Sequence, residues 1–269
     1  MPKRSLERML RERAAALRRH ILTMASNNQN IHLGGSMSIA DMMAALFFHF
    51  LDIEGLRGPR DHFILSKGHA VHAFHACLAE MGKVDPEEFR SLATLGSRLA
   101  GHPSPKAPLV EVCTGSLGHG LSVGIGIALA EKIEGSPART VVLMGDGELQ
   151  EGSVWEAALS APRFGLENLL AIVDRNGWQA TGKVDDILPL DPLKEKWRSF
   201  RWNVLVVDGH DMKAILRALS RFPAASGPTV IIANTVKGKG VPAVENTGRA
   251  HFTTLSDEEI QAALARLEV

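Results

Sequence analysis

A chain of 269 residues with 30 lysines and arginines against 30 aspartates and glutamates has no net formal charge, so nothing favours nucleic acid or a polyanionic surface as partner. The length suits one large α/β domain or two small ones, and no apolar segment reaches the roughly 18 residues of a membrane span. Cys77 and Cys113, without metal-like spacing, indicate free, buried thiols in a reducing, cytoplasmic setting.

The first twenty residues are basic (Lys3, Arg4, Arg8, Arg11, Arg13, Arg18, Arg19), but Glu7 and Glu12 interrupt the run and Leu6, Leu10, Leu17 and Ile21 recur at helical spacing. This pattern predicts an amphipathic helix from about Ser5 to Ser26 rather than a targeting peptide. Asn27, Asn28, Gln29 and Asn30 stop it, and His32-Leu33-Gly34-Gly35 is expected to be a loop. Ser38 with Asp41 three residues on reads as the start of a helix to about Phe50. Asp61 to Leu65 is a short strand ending in Ser66-Lys67-Gly68-His69, and a helix continues to about Met81. A further helix begins at Gly118; its Gly120, Gly124, Gly126, Ala128 and Ala130 imply close approach to neighbouring backbone.

Thr140 to Met144 and Leu169 to Val173 are apolar, β-branched runs that predict buried strands, joined by a helix opening near Ser153. After a loop through Pro189 come a helix from Leu193 to Phe200, a strand from Val204 to Val207, a helix from Met212 to Leu219 and a strand from Pro228 to Ala233. Ser256 and Glu259 form a capping box that opens the last helix. Strands alternate with helices throughout, so the expected fold is α/β: a doubly wound, mostly parallel sheet with helices on both faces, in a single domain over residues 1–269.

Within that framework, Gly145-Asp146-Gly147-Glu148 closes one strand and Asp174-Arg175-Asn176-Gly177 closes the next. Gly-Asp-Gly alone is a common turn. Its pairing with Asn176 in one strand–helix–strand unit brings a carboxylate and a carboxamide to the carboxyl ends of parallel strands, where open α/β sheets bind ligands. These are hard oxygens suited to Mg²⁺ or Ca²⁺, with further oxygens drawn from a phosphate. His32, His69, His102 and His119 lie beside glycines in loops, where imidazoles meet phosphate or sugar oxygens and move protons near neutral pH.

Gly145-Asp146-Gly147-Glu148-Leu149-Gln150-Glu151-Gly152 followed by Asn176 resembles the thiamine diphosphate motif in its transketolase version. The likeness runs from residue 32 to about 251. It implies that thiamine diphosphate and Mg²⁺ (or Ca²⁺) are bound, with Asp146, Asn176 and the backbone carbonyl of Trp178 as metal ligands. Ser66-Lys67-Gly68-His69-Ala70 matches the family segment whose histidine touches the diphosphate, and Gly101-His102-Pro103 the one whose histidine contacts the donor hydroxyl. Thr114-Gly115-Ser116-Leu117-Gly118 matches the loop under the thiamine ring, so Gly115 and Leu117, with Gly145, are expected at the cofactor. His32 falls in the segment that meets the sugar, although Leu33 replaces the usual proline; His119 stands where glutamine is common and receives no catalytic role. Glu151 would join a carboxylate network across a subunit interface. Lys237-Gly238-Lys239-Gly240 resembles the segment after the last strand, and His251 follows at the family's distance with Ala250 and Phe252 as atypical neighbours.

In transketolases the glutamate that activates the aminopyrimidine lies in a second, pyrimidine-binding domain. The resemblance therefore implies the N-terminal half of a split transketolase, which transfers a two-carbon ketol unit between sugar phosphates. Its C-terminal subunit would be a separate chain, in an α₂β₂ assembly. The same motifs leave open a specialised biosynthetic acyloin or ketol transferase; the Ser-Lys-Gly-His and Gly-His-Pro segments favour transketolase over the α-subunit of a 2-oxoacid dehydrogenase, and intact Asp146, Asn176, His69 and His102 speak against a non-catalytic scaffold subunit. Neither nucleic acid nor membrane is an expected partner.

Overall fold

A computed structural model describes residues 5–28, 31–56, 58–224 and 226–267. Lys3 and Arg4 of the basic run, Gln29 and Asn30 of the helix stop, and the chain ends of the 1–269 domain lie outside the described residues. Five parallel strands form one sheet in the order β1-β2-β3-β5-β4: β1 His62–Leu65, β2 Thr140–Gly145, β3 Leu169–Arg175, β4 Asn203–Asp208 and β5 Thr229–Asn234.

Alternation along the strands explains the two cores. Phe63, Leu65, Val141, Leu143, Leu170, Ile172 and Ile231 point to one face; Ile64, Val142, Met144, Leu169, Ala171, Val173, Val230 and Ile232 point to the other. A parallel sheet covered on both sides requires such unbroken apolar runs. The first face is covered by α1 (Leu6–Asn27), α3 (Ala40–Ala45), α4 (Val71–Glu80), α9 (Met212–Leu219) and α10 (Asp257–Arg266). The second is covered by α5 (Gly120–Ile133), α6 (Gly152–Ser160), the short α7 (Val184–Ile187) and α8 (Leu193–Ser199), which brings in Trp197. Helix α1 buries Leu10, Ala14, Leu17, Ile21 and Leu22, while Arg8–Glu12 and Arg11–Glu7 pair along its outer side. Of the described basic run, Arg8 and Arg11 lie on the solvated side, whereas Arg18 is buried and paired with Asp41 at 2.6 Å. No helix among the described residues is long and apolar enough to cross a membrane.

Three local expectations are corrected. Leu33–Ser38 is a helix, α2, and not a loop. Its glycines serve packing: a Cβ on Gly34 would lie 2.5 Å from the carbonyl oxygen of Ala250, and one on Gly35 would lie 3.2 Å from Lys67 Nζ. Ser38 caps nothing, because its hydroxyl turns inward to Asp174 Oδ2 (2.8 Å), with Gly35 O as its alternative acceptor (3.1 Å); the chain breaks at Ile39, and α3 ends in a π-turn over Leu46–Phe50. Cys77 is buried, but Cys113 is exposed. The neighbouring Thr114 is the anchored residue, donating to Leu65 O at 2.7 Å, and Cys113 faces outward.

The carboxyl ends of four adjacent strands converge. Ser66-Lys67 follows β1, Asp146 follows β2, Asn176 follows β3 and Thr235-Val236-Lys237 follows β5. The β3–β5 pairing, rather than β3–β4, is what sets the last segment beside the first three.

Candidate active site

Asp146 begins a tight turn over Gly147–Gln150, and its carboxylate ties two strand ends together. Oδ1 accepts from Gly147 N–H (2.9 Å), and Oδ2 accepts from Gly177 N–H (2.6 Å). Asn176 is oriented by donating Nδ2–H to Asp174 Oδ2 (2.7 Å), while its Oδ1 accepts from Trp178 N–H (3.1 Å).

Asp174 is the hub of the site. Fully buried, it accepts from Lys67, Ser38, Asn176 and Thr235, which joins the segments after β1, β3 and β5 to α2. Burial alone would raise its pKa, but the Lys67 ammonium and the hydrogen bonds from Lys67, Thr235 and Asn176 together hold it below the usual value. Asp146 shows the reverse: burial, then the neighbouring Asp174, push its carboxyl up to about 6. A carboxylate so disfavoured, beside the Asn176 amide, fits a divalent cation, which would offset the cost of keeping it ionised. Among the described residues no three His, Cys, Asp or Glu side chains form a metal cluster. The donor set is incomplete by itself and suits an ion that takes its remaining oxygens from a bound diphosphate.

Above these oxygens lies a cavity of about 270 Å³, lined by Asp146, Asn176, Trp178, Gly145, Gly115 and Leu117 together with four histidines. Ring centroids of His32 lie 5.6 Å from His69, 5.7 Å from His102 and 5.4 Å from His251; His69 and His251 are 5.3 Å apart. Thus His32, His69, His102 and His251, distant in sequence, form one wall. Their imidazoles are biased to the neutral form. Burial and Lys67 hold His69 well below its ordinary value, burial and Lys237 take His251 to about 4, and burial lowers His32 and His102. Gly115 has φ 137°, and a Cβ there would lie 2.6 Å from the His102 ring, so only glycine lets this loop pass beneath the imidazole. His119 is exposed and does not line the cavity. Glu151 is also exposed, at the start of α6, without a side-chain capping bond.

Two further residues carry weight that sequence reasoning did not assign. Lys237 Nζ donates to Trp178 O (3.2 Å), Gln179 O (3.1 Å) and His251 Nδ1 (3.1 Å), and burial, then Lys67, lower its pKa to about 8. Its position in the Lys-Gly-Lys-Gly run after the last strand was the available signal. An ammonium has no lone pair, so His251 Nδ1 must be the acceptor and Nε2 carries the proton.

Glu148 was legible only as part of the glycine turn. Its buried carboxylate accepts from Ser66 Oγ, Gly118 N–H (3.0 Å) and Gly145 N–H (3.1 Å), drawing together the segments after β1 and β2 and the loop before α5. Glu148→Ala would strand three buried donors, each costing about 1–3 kcal/mol. A stability loss of about 3 kcal/mol or more is expected in urea unfolding, and a loss below about 1 kcal/mol would mean that Glu148 does not hold these loops.

Comparison with known proteins gives this arrangement its family. Residues 11–268 match the family described as transketolase, thiamine diphosphate binding domain. The chain is 39% identical over 264 residues to an apulose-4-phosphate transketolase subunit of Actinobacillus succinogenes, covering 96% of each chain. It is 39% identical over 243 residues to a 6-deoxy-6-sulfo-D-fructose transketolase subunit of a Clostridium species, covering 88% of each. The fold superposes on transketolase from Leishmania mexicana with a TM-score of 0.89 at 27% identity, covering 96% of this chain and 41% of that one. The chain therefore spans about two fifths of that full-length enzyme. It belongs to the transketolase family, as an α/β thiamine diphosphate-binding domain of this family of transferases.

Proposed function

We propose that this chain is the diphosphate-binding subunit of a two-chain transketolase that moves a two-carbon ketol unit from a ketose to an aldose, sugar phosphates among them. A separate pyrimidine-binding subunit completes it in an α₂β₂ assembly, and residues 1–269 form one domain that works in a reducing, cytoplasmic setting. The observation that carries this reading is the convergence of Asp146, Asn176, two lysines and four neutral histidines on one cavity at the strand ends.

Asp146 Oδ, Asn176 Oδ1 and the Trp178 carbonyl would hold Mg²⁺ or Ca²⁺. Lys237 now occupies that carbonyl and would share it or shift toward the diphosphate. His69 and the Lys237 ammonium would meet the diphosphate, with Gly115, Leu117 and Gly145, which line the same cavity, beside the cofactor. Thiamine diphosphate, when bound, supplies a nucleophilic carbon and an electron sink for carbon–carbon cleavage. His32, His102 and His251 present neutral imidazoles to the sugar: each can donate one hydrogen bond to a hydroxyl or carbonyl oxygen and take up a proton as charge develops. Glu151 reaches the partner's carboxylates from its exposed position.

The cavity's own carboxylates support the need for a partner. Asp146 is committed to two backbone donors and the metal, and Glu148 to Ser66, Gly118 and Gly145. Neither is free to protonate the pyrimidine, so that acid comes from the second chain.

The sugar-binding roles are tested by His102→Ala and His32→Ala in the reconstituted complex. Turnover is expected to fall about 10²–10³-fold, the typical worth of one oriented donor, with thiamine diphosphate affinity retained. A parallel loss of affinity and rate would move these histidines from the sugar to the cofactor.

A further inference from the structure

A second recess, of about 430 Å³, adjoins the catalytic cavity, and His32 and His102 line both. Its other walls come from segments far apart in sequence. Asn28 stands at the end of α1, its amide nitrogen fixed to Met24 O (3.1 Å) and Phe89 O (2.9 Å). His72, on α4, is almost completely buried, and its Nδ1 has no hydrogen-bond partner among the described residues. Leu92 and Ala93 form a wall that is held stiffly: Ala93 sits in the left-handed region at φ 57° and donates to Leu99 O (2.7 Å), while Arg98 grips Glu88 with two bonds of 2.6 and 2.7 Å. Strain maintained by surrounding contacts is a feature of ligand sites.

Phe252 closes the recess. Its ring lies 4.8 Å from that of His32 and is 53% exposed. Among the described residues no lysine, arginine, aspartate or glutamate lines the recess. Burial lowers His32, His72 and His102, so the imidazoles add no positive charge near neutral pH. A phosphate or sulfonate would find no counter-ion here, whereas an open aromatic face among amide and imidazole groups matches the mixed C–H and O–H surface of a sugar.

We propose that this recess is a subsite for the uncharged, hydroxylated end of a sugar, with Phe252 as its stacking platform and the His72 ring in its wall. The inference rests on the ketol-transfer reading of the adjoining cavity and extends it: a charged substituent on the same sugar points away from this chain's recess, toward the partner subunit. Phe252 then acts on substrate choice and not on cofactor binding.

The test uses the full chain saturated with thiamine diphosphate and Mg²⁺, with ribitol and ribitol 5-phosphate as unreactive probes followed by aromatic ¹³C NMR. Ribitol is expected to shift the Phe252 and His72 rings saturably in the millimolar range. Ribitol 5-phosphate should bind the recess no more tightly. Phe252→Ala should weaken ribitol binding roughly threefold to tenfold, Phe252→Tyr should restore it, and both should keep the wild-type thiamine diphosphate affinity and melting temperature. Unshifted Phe252 and His72 rings, equal ribitol binding by Phe252→Ala, or a preference of the recess for the phosphate would overturn the proposal. So would loss of partner association in Phe252→Ala with ribitol binding intact, which would assign the ring to the subunit contact. Failure of the ketol-transfer reading looks different: the wild-type chain would not take up thiamine diphosphate, whatever ribitol does.

Discussion

Purified alone and supplied with thiamine diphosphate, Mg²⁺ and ketose and aldose phosphates, the chain should transfer no two-carbon units; adding a pyrimidine-binding partner, as proposed, should switch activity on. The expectation rests on the chemistry of the cavity, where both acidic side chains are already engaged and no third lines the wall among the described residues. It also rests on the surface. Along α5, Val123, Gly126, Ala130 and Ile133 are exposed at three- and four-residue spacing and form one helix stripe, with Ile133 77% exposed and Leu159 of α6 66% exposed. Spacing of this kind places side chains on one face, and a contiguous apolar face of that sort marks a contact surface. The close approach expected of the α5 glycines holds for Gly120 and Gly124 and not for Gly126. Gly120 and Gly124 turn inward, where a Cβ would lie 2.3 Å from Ser66 Oγ and 2.4 Å from Val142 Cγ2, and only Gly126 is open. Val123→Glu with Ile133→Glu should therefore impair assembly while leaving cofactor binding by the chain intact. Coupled transfer assays and analytical ultracentrifugation read both effects. Full transfer by the isolated chain would show that no second subunit is required.

Replacing Asp146 has the other large effect. Asp146→Asn keeps the size of the side chain but removes the negative charge among the proposed metal ligands. Mg²⁺-dependent thiamine diphosphate affinity should drop at least about 100-fold, more than the effect typical of residues that merely orient a ligand. The effect on stability should depend on pH. The folded carboxyl is pushed up to about 6 from its ordinary 3.8, so the folded chain binds a proton more tightly than the unfolded one. Stability from this group is present below the unfolded pKa and is lost as the pH rises to the folded one, leaving a cost at neutral pH. Asp146→Asn removes that cost but sets an amide nitrogen, which cannot accept, against one of the two backbone N–H groups, so the melting temperature of the metal-free variant relative to the wild type should be highest near pH 7 and fall toward pH 4. Isothermal titration and thermal melts across that range measure both. Unchanged cofactor affinity would remove Asp146 from the metal site, and a large drop in melting temperature would mean that its hydrogen bonds to Gly147 and Gly177 outweigh its charge.

Local pattern was enough for the parts of the molecule that depend on neighbours along the chain. The apolar runs of β2, β3 and β5 are bounded by turn residues, so their positions and burial follow from the residues alone, and α9 falls on Met212–Leu219 as its spacing requires. The Ser256–Glu259 box caps α10 because both partners lie within one turn. Asp146 and Asn176 were legible because each directly follows a strand in a recognisable motif.

Long-range packing governs what depends on residues far apart in sequence. Ser38 has the composition of a cap, but Asp174 draws its hydroxyl inward; Gly34 and Gly35 have the composition of a loop, but the space beside Ala250 and Lys67 makes them a close-packed helix. The roles of Asp174, Glu148 and Lys237 exist only after the strand ends converge, since their partners lie on other strands and loops. The neutral recess behind His32 is likewise assembled from α1, α4, the Leu92–Ala93 wall and Phe252. Local spacing sets which way a side chain can point, whereas the charge, burial and partners it meets are set by the packing of distant segments.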